Sequence, residues 1–188
     1  MRALLFTFSF CFPILLCAQR IDYPSDFLQK LSKMSLAIVE PVESDYRDVW
    51  VGKNQVHSYD FAIRSRKEKL EIRYILQPYQ NTNPLATLPN IEFLKLLTHL
   101  ASNDTEASPM AIHEIRNIEL EESFQADWGR YAFFQPKGAF AQWPHAKLLS
   151  LYKADQGLVH ILFLYKKPSI ALDNRFYAVQ FMNEKDSF

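Results

Sequence analysis

Residues Val56 to Gln77 read VHSYDFAIRSRKEKLEIRYILQ, and their alternation decides the fold class. Tyr59, Phe61 and Ile63 alternate with Ser58, Asp60, Ala62 and Arg64, while Leu70, Ile72, Tyr74 and Leu76 alternate with Glu71, Arg73 and Gln77. A period of two puts each set on its own face of a strand, so the stretch predicts two half-buried strands joined by a charged tip. Pairing Arg64 with Lys69 across a four-residue loop sets Ile63 opposite Leu70, Phe61 opposite Ile72 and Tyr59 opposite Tyr74. It also sets Asp60 against Arg73 on the wet face. A slip of one residue would turn the apolar set toward water.

Working outward from the hairpin, Ser25 is a cap for a short amphipathic helix carrying Phe27, Leu28, Leu31 and Met34. Leu36 to Val42 is apolar but broken by Pro41, which suits an edge strand. Glu43 to Asn54 reads as a loop with room for a short strand. Downstream, Asn90 caps a helix running to Ala101, and its Ile91, Phe93, Leu94, Leu96, Leu97 and Leu100 cover more than one stripe. That helix should be the main one packed on the sheet. Met110 to Glu122 fits helix and strand equally. Arg130 to Gln135, Lys147 to Lys153 and Leu158 to Tyr165 read as strands, the last apolar enough to be central and covered on both faces. Pro168 to Leu172 suits a helical turn and Phe176 to Met182 a final strand. The expected fold is a single α+β domain: a mainly antiparallel sheet of about six strands with one long and one shorter helix on it.

The chain opens with Arg2, an apolar run from Ala3 to Leu16, and the small residue Ala18. This order is that of a cleavable secretory signal, Met1 to Ala18, and the run is shorter than the roughly 20 apolar residues a membrane span needs. The predicted product is an exported chain from Gln19 to Phe188, periplasmic or secreted, with no transmembrane segment. Leu16 stands where a lipoprotein signal needs a small residue before its cysteine. Cys11 and Cys17 are the only cysteines, so the mature chain would be free of cysteine and must be held by a core.

Composition supports a packed domain, with 48% hydrophobic and 14% aromatic residues. Basic and acidic residues balance at 21 each, which argues against a nucleic-acid partner. The order of elements from Ser25 to Met182 resembles that of the PsbP-like and DcrB-like proteins, exported antiparallel α+β domains. The resemblance implies an accessory or binding role and carries over no functional residue.

Signatures of chemistry are sparse. Gly52, Gly129, Gly138 and Gly157 are isolated, so no phosphate-cradling or dinucleotide loop can be built from them, and no serine elbow occurs. His57, His99, His113, His145 and His160 lack the close spacing of metal ligands, and His160, inside the apolar strand, reads as a hydrogen-bonded core histidine. Glu119, Glu121 and Glu122 read as a solvated face. No metal and no cofactor is expected. The densest feature is Phe124 to His145, from which Asp127, Trp128, Tyr131, Trp143 and His145 are the candidate ligand-binding residues. Their rings suit a stacking surface for a sugar, peptide or other flat ligand, with Asp127 fixing polar groups, or else the packing face of the sheet. The expected function is a non-catalytic binding or accessory module for a small ligand or protein partner. The alternatives are a hydrolase with a site assembled from Asp, Glu and His groups, and a subunit of a cell-envelope assembly using an open sheet edge.

Overall fold

A computed structural model describes residues 21–41, 44–49, 57–80, 88–104 and 106–182. The expected leader, both cysteines and Gly52 lie outside them. The strands are β1 Leu36–Ile38, β2 Arg47–Asp48, β3 Phe61–Ser65, β4 Leu70–Pro78, β5 Ala111–Glu114, β6 Trp128–Phe134, β7 His145–Lys153, β8 Gly157–Tyr165 and β9 Val179–Phe181. The helices are α1 Ser25–Lys33, α2 Pro89–Leu100, α3 Asn117–Glu119, which runs on as a π-helical turn Leu120–Phe124, and α4 Ile170–Phe176. Seven strands form one antiparallel sheet in the order β2-β3-β4-β8-β7-β6-β5, and β1 pairs with β9 in a small second sheet. The fold is α+β and mainly antiparallel, with a few more short elements than the periodicity shows. Among the described residues no helix is long and apolar enough to cross a membrane.

The sheet is sandwiched. On one face Phe27 of α1, Phe124 of the π turn and Phe176 of α4 join Phe61, Ile72, Tyr74, Leu149, Ile161 and Phe163 in one apolar cluster. On the other face Phe93, Leu96, Leu97 and Leu100 of α2 and Phe140 of the β6–β7 loop join Ile75, Leu148, Leu162 and Leu164. The central strand β8 is buried at every one of its 9 positions, as its continuous apolar run predicts.

The hairpin keeps the expected faces but shifts its register by two residues. Ser65 pairs with Leu70, Ile63 with Ile72 and Phe61 with Tyr74. The shift replaces the repulsive Arg64–Lys69 pair by Arg64 opposite Glu71, and a period-two strand pays nothing in sidedness for a two-residue slip. The turn is pinned from outside: Ser65 Oγ and Lys67 N donate to Asp45, and Ser65 Oγ accepts from Glu68 N at 2.8 Å. Asp60 therefore does not face Arg73, and its carboxylate accepts from Leu76 N at 2.6 Å and from Lys30.

Both expected caps are corrected. Pro24 precedes α1 and Leu88 precedes α2, with no side-chain cap bond at either end. Pro89 fills the first turn of α2, where its missing N–H costs nothing, and this frees Asn90 to accept from Arg130 Nη1 at 2.6 Å. Met110 to Glu122 divides into β5 and α3. Phe176, expected in the last strand, ends α4, whose N-cap Ser169 accepts from Leu172 N at 3.3 Å.

Gly157 opens β8 at φ +128°, and a Cβ there would stand 2.3 Å from the carbonyl oxygen of Gln77. Gly157→Ala should therefore cost roughly 2–4 kcal/mol in urea unfolding, combining a forbidden backbone region with a backbone clash. A loss below about 1 kcal/mol would show slack at the β4–β8 junction.

Candidate functional site

A concavity with several converging polar groups lies where one side of α2, which packs mainly over β7 and β6, meets the end of β4 and His160 of β8. It encloses about 250 Å³ and is lined by His57, Gln77, Glu92, Lys95, Leu96, His99 and His160. Three accidents of local structure build it. Gln77 falls at the end of β4, where the strand leaves the core and becomes exposed. The helical period returns Glu92, Lys95, Leu96 and His99 to one side of α2. His160 sits on β8 among apolar neighbours, on the face that α2 covers.

His160 is 1% exposed and its Nδ1 lies 2.6 Å from Ser150 Oγ on β7, directly across the ladder. It is thus the satisfied core histidine that the sequence implies, and it also forms the pocket floor. Burial, aided by His57, holds its pKa down to about 3. An imidazole so reluctant to take a proton is a poor general base, and Ser150 is fully buried, so the pair is a structural hydrogen bond and not a nucleophile pair. His57 and His99 stand with ring centroids 6.0 Å apart, and burial together with His99 lowers the His57 pKa. Both residues are named only as scattered histidines by the sequence, because folding alone brings a pre-β3 residue against the end of α2. Lys95 Nζ donates to Glu92 at 2.8 Å on the rim. Among the described residues no three His, Cys, Asp or Glu side chains are grouped to hold a metal ion.

The five residues singled out from the aromatic segment do not converge. Asp127 is exposed and accepts from Ala154 N at 2.7 Å, bracing the β7–β8 turn. Trp128 is half-buried against Phe93 of α2, ring centroids 6.2 Å apart. Trp143 lies at the opposite end of the sheet, half-buried over the same face, with Arg64 5.7 Å from its ring. Tyr131 and His145 are on the other face. His145 packs on Tyr165, and Tyr131 stacks on His113 with centroids 4.9 Å apart.

Three charged side chains, Glu71, Arg73 and Lys147, are buried among the described residues, and sequence alternation predicts none of them. Glu71, wholly buried on the face of α2, accepts from Arg64 Nε at 2.7 Å, Arg73 Nε at 2.6 Å and Trp143 Nε1 at 3.2 Å. Arg73 is itself held between the rings of Tyr59 and Phe140. On the opposite face Lys147, 7% exposed, places Nζ 3.5 Å from the Phe176 ring centroid and 4.9 Å from that of Tyr131. Burial pushes its pKa down to about 8, against the pull of Asp173 and Glu119.

The fold and site together define a sheet protein with helices on both faces and a histidine-lined pocket under one of them. Comparison with protein-family models, curated proteins and solved structures returns no match.

The two buried bases give pH slopes of the same sign in different windows. An unfolded histidine takes its proton near 6.5, so the stability owed to neutral His160 is present above that pH and is lost as pH falls toward 3. The wild type should lose on the order of 4 kcal/mol more than the Ser150→Ala/His160→Leu double variant between pH 7 and pH 3 in denaturant titrations. Equal losses would contradict the assignment. For Lys147 the unfolded chain holds its proton up to about 10.5 while the fold releases it near 8, so stability rises with pH across that window. Lys147→Met should be more stable than the wild type by about 1–3 kcal/mol at pH 7, with the gap closing toward pH 10.5.

Proposed function

We propose that this chain is an exported, non-catalytic binding module that takes a small polar ligand into the pocket between α2 and the ends of β4 and β8. The observation that carries the reading is the convergence of three imidazoles and the Gln77 amide, from separate elements, on one concavity. Imidazoles and an amide offer both donors and acceptors, which suits hydroxyl- or amide-bearing ligands. A volume of about 250 Å³ corresponds to roughly eight water molecules in the liquid, the scale of a monosaccharide or dipeptide. The signal-like order of residues 1–18 supports export, and the accessory roles implied by the PsbP-like and DcrB-like element order fit a binding module.

A thermal-shift and calorimetric screen of monosaccharides and dipeptides tests this directly. A ligand that raises the melting temperature of the wild type should lose at least about tenfold in affinity in Gln77→Leu and in His99→Leu, with folding intact by circular dichroism. Binding that survives both substitutions would place the ligand elsewhere. Failure of the whole panel to bind would reject the pocket as a receptor for this class.

A further inference from the structure

We propose that the cleft between β2 and the β3–β4 turn binds a tetrahedral oxyanion, a phosphate or sulfate group, at a site separate from the histidine-lined pocket. The cleft encloses about 490 Å³ and is lined by Asp45, Arg47, Asp48, Val49, Arg64 and Arg66. Its chemistry follows from the register. β2 pairs with β3 so that Arg47 lies directly opposite Arg64 on the same side of the ladder. Like charges in directly opposed positions are destabilising, and here three guanidinium groups share one concavity.

The counter-charges nearby are mostly committed. Glu71 is buried beneath Arg64 and already accepts from Arg64, Arg73 and Trp143. A guanidinium has five N–H donors, so Arg64, held by Glu71 through Nε and Nη2, keeps donors to spare. Glu71 and the Trp143 ring together fix its plane. Asp45 is engaged by Ser65 Oγ and Lys67 N, and these bonds, that from Ser65 foremost, hold its carboxyl below the usual carboxylate range. It braces the turn. Among the described residues the guanidinium groups of Arg47 and Arg66 have no side-chain hydrogen bond and no ion pair, although the Arg66 backbone also bonds Asp45. Among the described residues Asp48 is the lining carboxylate left to compete for them. Two free guanidiniums beside a third of fixed orientation form the donor set that recognises a tetrahedral oxyanion, and such an anion relieves the Arg47–Arg64 repulsion as it binds.

Isothermal titration calorimetry at constant ionic strength, with chloride as balancing salt, reads the site. Sodium sulfate and inorganic phosphate should each bind saturably to one site with Kd on the order of 1 mM or tighter. Arg47→Gln and Arg66→Gln should each weaken binding roughly tenfold without lowering the melting temperature, and Asp48→Asn should strengthen it. Glucose 6-phosphate distinguishes the sources of the group. Tighter binding than inorganic phosphate assigns it to a phosphorylated sugar, and equal binding assigns it to the free ion. Absence of saturable heat with both inorganic anions, or affinities unchanged in both arginine variants, overturns the proposal. Neither result bears on the histidine-lined pocket, whose variants lie elsewhere.

Discussion

The constraint on which the structure depends is that β4, β7 and β8 are covered on both faces. A strand buried on one side only can send its polar residues to water, whereas here each polar side chain must be paired inside the protein or pay the cost of desolvation. The sequence carries such groups at Glu71, Arg73, Lys147, Ser150 and His160, all buried. Each pairing fixes something else. Ser150 and His160 tie β7 to β8 across the ladder. Glu71 gathers Arg64 of β3, Arg73 of β4 and Trp143 of the β6–β7 loop onto one carboxylate, so the loop covering one end of the sheet is seated by charge as well as by rings.

The same constraint explains how a fold with few recognisable motifs acquires sites. Where double coverage ends, at Gln77 near the end of β4 and along one side of α2, the buried polar row meets solvent and a histidine-lined concavity opens. At the other margin the sheet thins to the two-residue β2, and the arginines of neighbouring strands stand exposed opposite one another. The interior between these margins is filled by rings and aliphatic side chains. Among the buried polar groups of the described residues Lys147 is the exception to pairing. Its charge is sheltered by three aromatic faces and by no carboxylate within bonding distance among the described residues, an arrangement that holds the amine but favours its neutral form.

How much of this is legible in the sequence depends on whether a residue's environment is local. The apolar run of β8 announces a central strand because burial on both faces leaves its mark on consecutive residues. The hairpin faces of β3 and β4 are readable for the same reason, but their register is not, because it is set by Asp45 reaching the turn from outside and by Arg64 preferring Glu71 to a lysine. Caps at Ser25 and Asn90 look right in isolation, yet prolines at 24 and 89 take over the helix starts. The aromatic density from Phe124 to His145 is real, but strand alternation sends Trp128 and Tyr131 to opposite faces, and Trp143 is used at the far end of the sheet. His57, His99 and His160 are each visible in the sequence and become a group only through the crossover that lays α2 over β7 and β6 with one side toward Gln77 and His160.

Native-state amide hydrogen exchange tests the central claim most directly, since opening free energies are greatest where strands are covered on both sides. The account predicts that the amides of β4, β7 and β8 exchange only through global unfolding, that the Trp143 indole N–H bound to Glu71 is protected with them, and that β2 and β5 open first. Amides of β8 exchanging as fast as those of the exposed edge strand β5 would contradict it.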